Sequence, residues 1–242
     1  RENSLEEVLL PNNKRIIIGI RPCEARGLTL LDKVFGAEEY AECSNSGSYS
    51  SASRSDASQK NYIQDKDEFY LNNSRRTIII GLSCAKPDRV CFCTSVGGSP
   101  IESRGMDAII FAKVDQFIIE IITDKGKEIF GGLGQTLSEM QIKSYESEKE
   151  KRKDLVRAKI KIAEALDKVF ENVYWEQVSR SCLSCGICTF LCPTCHCFDL
   201  VDEERRMLRC YDGCAFPDFT VQTSGEDPRP TKRERYRQRA FH

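Results

Sequence analysis

The apolar positions fall into short β-branched runs in the first half of the chain and a helical stripe that follows. Lys14-Arg15 leads into Ile16-Ile17-Ile18-Gly19-Ile20, which has the length and composition of a strand buried on both faces. Arg21-Pro22-Cys23 comes next. Ala25, Leu28, Leu31 and Phe35 then recur at helical spacing, predicting a helix over 24–35 with Glu24 near its positive N-terminal end. The opening pattern returns later, where Arg75-Arg76-Thr77-Ile78-Ile79-Ile80-Gly81-Leu82-Ser83-Cys84 echoes residues 14–23 as an internal repeat. As parallel neighbours, the two runs would carry Cys23 and Cys84 just past the carboxyl ends of strands, where open α/β sheets place their ligands. Residues 107–112 and 116–122 predict a hairpin across Lys113-Val114-Asp115. Ser138-x-x-Gln141 has the form of a capping box, and Leu155, Ile162, Leu166, Val169 and Val173 keep an apolar stripe as far as Trp175. One long helix over 138–175 is therefore expected to link two halves, with its ionic stretch 148–154 a solvated surface.

Length and charge narrow the classes. The 242 residues suit one large or two ordinary domains, and Lys+Arg 36 against Asp+Glu 37 leaves a net charge of -1. The surface as a whole has no electrostatic reason to seek nucleic acid or an anionic membrane. No apolar run approaches the ~20 residues of a membrane span. The chain starts at Arg1 without a charged-then-apolar leader, so nothing marks secretion and the natural start is expected upstream. Residues 44–58 hold eight serines and almost no apolar side chain, which reads as an insertion near 43–61, with Cys43 a free thiol in it. The domains expected are an α/β domain over 1–137, the linking helix over 138–175, and an iron–sulfur domain over 176–242.

That last assignment comes from the cysteines. Thirteen is an odd number in a large, charged chain, and most stand in close groups, which suits metal ligation better than a disulfide framework. Cys182-Leu183-Ser184-Cys185-Gly186-Ile187-Cys188-Thr189-Phe190-Leu191-Cys192-Pro193 is a CxxCxxCxxxCP run without deviation, the bacterial ferredoxin pattern, in which the fourth thiolate serves a neighbouring cluster. A zinc site is the plainer alternative. Cys195, Cys197, Cys210 and Cys214 follow, so eight cysteines crowd this region, numerically enough for two cubes. Cys23, Cys84, Cys91 and Cys93 form a separate foursome in the α/β half, either a further cluster, a zinc site or buried thiols. His196, between two cysteines, suits a hydrogen bond to a cluster sulfur better than direct ligation. The tail from Arg229 to Arg239 carries six cations in eleven residues. It invites a nucleic-acid reading, but local neutralisation of anionic clusters and docking of an acidic partner compete with it. No dinucleotide fingerprint, Walker run or Ser/His/Asp set is present, and only two histidines are available, so no catalytic residue is assigned.

These motifs resemble the iron–sulfur beta subunit of cytoplasmic sulfhydrogenases and the related iron–sulfur subunit of anaerobic sulfite reductase. The resemblance runs through Gly19-Ile20-Arg21-Pro22-Cys23-Glu24 with Leu31-Asp32, Ile80-Gly81-Leu82-Ser83-Cys84, Cys91-Phe92-Cys93-Thr94-Ser95-Val96-Gly97-Gly98 and Gly105-Met106-Asp107. It continues through the ferredoxin run into Pro193-Thr194-Cys195-His196-Cys197-Phe198, Tyr211-Asp212-Gly213-Cys214 and Arg229-Pro230-Thr231-Lys232. It implies an α/β N-terminal domain with a partly parallel sheet, followed by a mainly helical ferredoxin-like domain. It further implies a cytoplasmic electron-transfer subunit of an anaerobic hetero-oligomer, with two or three [4Fe–4S] clusters. Its partners would be a flavin-containing electron-transfer subunit together with a catalytic oxidoreductase subunit. Cys23, Cys84, Cys91 and Cys93 would hold one cube and Cys182, Cys185 and Cys188 another, with Cys192, Cys195, Cys197 and Cys214 as candidates for its neighbour. Relatives of this kind carry a second ferredoxin run, expected here beyond His242, and do not usually place a cysteine at the position of Cys210. A reductase subunit whose cluster touches substrate, and a zinc-stabilised interaction module, are the competing classes.

Overall fold

The computed structural model describes residues 12–36, 66–113, 115–160, 167–203 and 206–241. Cys43 and the serine-rich insertion lie outside them. The chain forms two compact units, Arg1–Lys161 and Ile162–His242.

In the first unit both isoleucine runs are strands, β1 (Arg15–Ile20) and β2 (Thr77–Leu82), paired in parallel with Ile16 opposite Ile78 and Ile18 opposite Ile80, but β1 is the exposed edge of the sheet and not buried on both faces as expected. Helix α1 (Pro22–Val34) follows β1, and α2 (Glu68–Arg75) precedes β2. β3 (Ala108–Ala112) continues the parallel sheet and β4 (Phe117–Ile121) returns antiparallel as the expected hairpin, giving the order β1-β2-β3-β4. Asp107 ties this sheet together. Its carboxylate accepts from the Ile79 amide at 2.8 Å and from the Thr123 hydroxyl, at the start of α3 (Asp124–Phe130).

The core gathers Ile109 and Phe111 of β3, Ile118 of β4, Ala25 of α1, Ile101 and Met106 of the preceding loop, and Tyr145 of α4 (Glu139–Lys153). Ser138 caps α4 through the capping box, and Tyr145 meets Phe111 edge-on at 4.7 Å. Two expectations are corrected here. The helix foreseen over 138–175 stops at Lys153, and residues 154–160 are not helical. Three cations in its last turn favour an end there. Beyond it, tertiary contacts replace helical hydrogen bonds: the Ile160 amide donates to Ser95 Oγ at 2.9 Å, and Val156 is buried. Residues 161–166 of that expected helix lie outside the described residues. The ionic stretch 148–154 is not wholly solvated either. Arg152 is buried, with its guanidinium over the Phe111 ring, and it donates to Ser83 Oγ at 2.7 Å and to Glu148 at 2.9 Å. The helix thus belongs to the first unit.

The second unit is less helical than expected. Its helices α5 (Tyr174–Ser179), α6 (Ile187–Leu191) and α7 (Lys232–Phe241) accompany an antiparallel ribbon of β5 (Phe198–Glu203) and β6 (Arg206–Tyr211). Trp175 is buried with its indole N–H donating to the Val169 carbonyl at 2.6 Å. Among the described residues no helix is long and apolar enough to cross a membrane.

Candidate metal centre

In the first unit the parallel pairing of β1 and β2 sends two consecutive loops to the same edge of the sheet. Cys23 lies in the first turn of α1, directly after β1, and Cys84 lies two residues after β2. The loop from Cys84 returns to the sheet through the Cys84 amide, which donates to the Pro100 carbonyl at 2.9 Å. Within that loop Cys91 precedes a single 3-10 turn, Cys93–Val96. The four thiols are near enough to act on one another. Burial, then the Glu24 carboxylate, and further on Cys84, push the Cys23 thiol up from its ordinary value. Burial likewise raises Cys93, with Cys23, Cys91 and Cys84 adding to the rise. Mutual repulsion of thiolates is what a bound cation or cationic cluster core relieves. Behind Cys93, Arg26 Nη1 and Glu102 Oε2 are buried without a hydrogen-bond partner.

In the second unit the ferredoxin run winds through a tight loop into α6. Ser184 and Gly186 both take left-handed backbone, at φ 53° and 71°, and the Ser184 amide donates to Cys182 Sγ at 3.4 Å. Gly186 has a second reason to be glycine: a Cβ there would lie 2.2 Å from the Phe216 ring. Thr189 is buried and its hydroxyl donates to the Gly186 carbonyl at 2.7 Å, locking the entry to α6. Cys192 caps the end of α6, with its sulfur 3.1 Å from the Thr194 hydroxyl. His196 Nδ1 lies 3.0 Å from the Thr194 carbonyl.

Arg239 of α7 reaches the same thiols. Its guanidinium donates to the Cys188 carbonyl at 2.9 Å and is close enough to the Cys192 thiol to favour its charged form. Burial works to raise the Cys192 thiol, but Thr194 and Arg239 together bring it down to about 7. Burial raises Cys195 to about 11, against the charge of Arg239 and with that of Cys192. Cys214, buried, is raised first by desolvation and then by Cys197, with Arg239 opposing and Cys188 adding. Cys188, Cys192, Cys195, Cys197 and Cys214 thus share one neighbourhood. Cys182 and Cys185 stand on the loop before α6, and Cys210 is exposed on β6 opposite Asp199.

Every described cysteine is a free thiol. Among the described residues no three His, Cys, Asp or Glu side chains close on one point as the ligands of a single ion would. What points to a multi-iron core is the spacing of the cysteines along the ferredoxin run, since its ligands bind separate corners. The chain fits such a core on one further count: Arg239 Nε is buried without a hydrogen-bond partner beside Cys188, a donor that a sulfide acceptor would satisfy.

Two comparisons with known proteins bear on the chain. Residues 181–242 match the model of the 4Fe-4S dicluster domain family. Over 241 residues the chain is 26% identical to sulfhydrogenase 2 subunit beta of Pyrococcus furiosus, an alignment covering 95% of this chain and 64% of that subunit. The chain is thus similar to a sulfhydrogenase beta subunit along most of its length, and to a 4Fe-4S dicluster domain in its last quarter. It spans less than two thirds of the length of that relative. The similarity takes in both units, including the sheet edge that bears Cys23 and Cys84, whereas the dicluster match takes in the second alone. No solved structure matches the chain.

Arg239 and Thr194 are the side chains at this site whose individual roles the sequence did not disclose. Arg239 was hidden among six similar cations in the tail, and the usable signal was helical phase: on α7 the arginines at 233, 235, 237 and 239 cannot all point one way.

Proposed function

We propose that this protein is an electron-transfer subunit of an anaerobic oxidoreductase complex in the cytoplasm. It would relay electrons through two or three [4Fe–4S] clusters, from or to a flavin-containing partner on one side and a catalytic partner of the hydrogenase or sulfur- and sulfite-reducing kind on the other. The observation that carries the reading is the unbroken CxxCxxCxxxCP run within the stretch that matches the dicluster family. The relation to a sulfhydrogenase beta subunit supports the hetero-oligomer and the choice of partners.

On this reading Cys182, Cys185 and Cys188 hold one cluster, with Cys192, Cys195, Cys197 and Cys214 as the thiols for its neighbour. Cys23, Cys84, Cys91 and Cys93 hold a further one. A bound cluster supplies one-electron exchange with little change of shape. The chain's own contribution is to hold thiolates in place, supply hydrogen bonds and set the local charge. The Ser184 amide and the Thr194 hydroxyl serve Cys182 and Cys192, and His196 is kept near them through the Thr194 carbonyl. No side chain is assigned to proton transfer or nucleophilic attack on a substrate.

Iron and acid-labile sulfide analysis of anaerobically purified full-length protein tests this, together with EPR of the reduced form. At least eight irons per chain with matching sulfide are expected. Zinc without sulfide would overturn the reading. Cys84→Ser is expected to remove one cluster signal while leaving those of the ferredoxin run, and an unchanged spectrum would withdraw the N-terminal cluster.

A further inference from the structure

The cations of α7 differ in what they face. Arg233 pairs with Glu171 at 3.3 Å, and Arg237 pairs with the same carboxylate at 2.9 Å while stacking on Phe170. Arg235 donates to the carbonyls of Arg229 and Pro230. These three are spent on holding the helix to its own unit. Arg239 has no carboxylate among its described partners: it donates to the Cys188 carbonyl, within the ferredoxin run, and its Nε is buried without a hydrogen-bond partner. A nucleic-acid role for the tail would need these guanidinium groups turned outward, and they are occupied within the unit.

We propose that Arg239 is the residue that sets the reduction potential of the cluster site at the end of the ferredoxin run. There it fixes the Cys188 carbonyl and offers its buried Nε–H and its charge to the anionic core. The inference rests on the cluster reading above and adds to it one named control. A cluster gains one negative charge on reduction, and a nearby fixed cation stabilises that form and raises the potential. Because the guanidinium is planar and pre-aimed by its bond to the Cys188 carbonyl, a lysine would retain the charge while losing the fork. The balance of the step is simple: one electron enters from the partner donor, no bond in the chain breaks, and the arginine keeps its proton throughout.

The test is an EPR-monitored redox titration of the full-length protein and of Arg239→Gln, Arg239→Lys and Arg237→Gln. In Arg239→Gln one cluster signal should become harder to reduce, its equilibrium shifted about tenfold toward the oxidised form, which for one electron is ~59 mV. Arg239→Lys should recover most of that shift. Arg237→Gln removes an equal charge from the same helix and should move the signal far less, because that arginine already faces Glu171. Full iron loading with an unmoved potential in Arg239→Gln overturns the inference and leaves the cluster reading standing. Equal shifts in Arg237→Gln and Arg239→Gln also overturn it, since the effect would then belong to the charge of the tail as a whole. If Arg239→Gln loses iron, Arg239→Lys decides: loading with a near-native potential supports the assignment, and loading with the potential fully displaced, or no loading, rejects charge as the cause. Absence of iron and sulfide in the unaltered protein would defeat the cluster reading itself, a separate outcome.

Discussion

Single residues carry much of the geometry around the cysteines. Gly186 needs a left-handed backbone and also lies against the Phe216 ring, so Gly186→Ala should cost ~1–2 kcal/mol in backbone strain and more from the collision. Substoichiometric iron in the purified variant, beside a near-native far-UV spectrum from the first unit, is the expected readout. Asp107 joins β2, β3 and the start of α3 by accepting two hydrogen bonds through one buried carboxylate. Asp107→Ala leaves the Ile79 amide and the Thr123 hydroxyl unsatisfied and should destabilise the sheet by ~2–3 kcal/mol in urea unfolding. Glu148 shows how pH enters. Burial is the largest single influence and opposes its charge, but Arg152 and Lys113 together outweigh it and hold its carboxyl below the ordinary value. The unfolded chain then binds that proton more tightly than the folded one, so the contribution is present above the unfolded value and fades as pH falls through the folded one. It is partly exposed and worth under ~1 kcal/mol. Glu148→Gln should flatten the acid limb of the stability curve by that amount and leave neutral stability slightly lower.

At the scale of elements, what the sequence disclosed depended on how densely it was patterned. β1 and β2 were legible because isoleucine runs ended by Gly-Ile or Gly-Leu occur twice, and their parallel pairing follows from the repeat. The hairpin of β3 and β4 was legible from two β-rich runs around a short polar turn. The ribbon of β5 and β6 was not, since Phe198–Glu203 and Arg206–Tyr211 are rich in charged residues and hold one β-branched residue between them. The end of α4 at Lys153 was hidden because apolar residues keep recurring at helical spacing beyond it, although Leu155 and Val173 are exposed and the segment is held instead by buried Val156 and the Ser95 contacts. The cysteine positions were the most legible part of the site, because ligand spacing is written locally. The guanidinium at 239 was legible only as one of a group, since its target lies 51 residues away along the chain. Arg152 makes an element-level prediction. Arg152→Met keeps an apolar stem of similar length but removes the guanidinium that lies over Phe111 and bonds Ser83 and Glu148, and should loosen α4 from the sheet at a cost of ~2 kcal/mol. Faster amide exchange in α4, with β2 and β3 still protected, would show it.

For the whole molecule, the two units are built to different standards of self-sufficiency. Twelve of the fourteen described buried hydrophobic residues belong to the first unit, and the second supplies Trp175 and Cys214. A unit with so little apolar burial needs another source of folding free energy, and bound metal is the usual one at this size. Removing iron by oxidation and chelation should therefore unfold the second unit while the four-stranded sheet persists. Hydrogen exchange before and after chelation checks this: protection lost over 176–241 and retained in β2 and β3 is expected. Uniform loss would contradict it, as would uniform retention.

The outer edge of β1 has a consequence for the protein in concentrated solution. Ile16 and Ile18 are 49% and 69% exposed, while their partners Ile78 and Ile80 in β2 are 4% and 2% exposed. Among the described residues no strand pairs with the free side of β1, so an isoleucine-rich edge is offered to any neighbouring chain. The register breaks between Ile18 and Ile20, where Gly19 adopts φ 88° and the strand bulges. An incoming strand would find only residues 15–18 in step before the pleat turns away, short of the roughly six residues that a stacked fibre repeats. The glycine that interrupts the repeat thus limits how far one molecule can template the next.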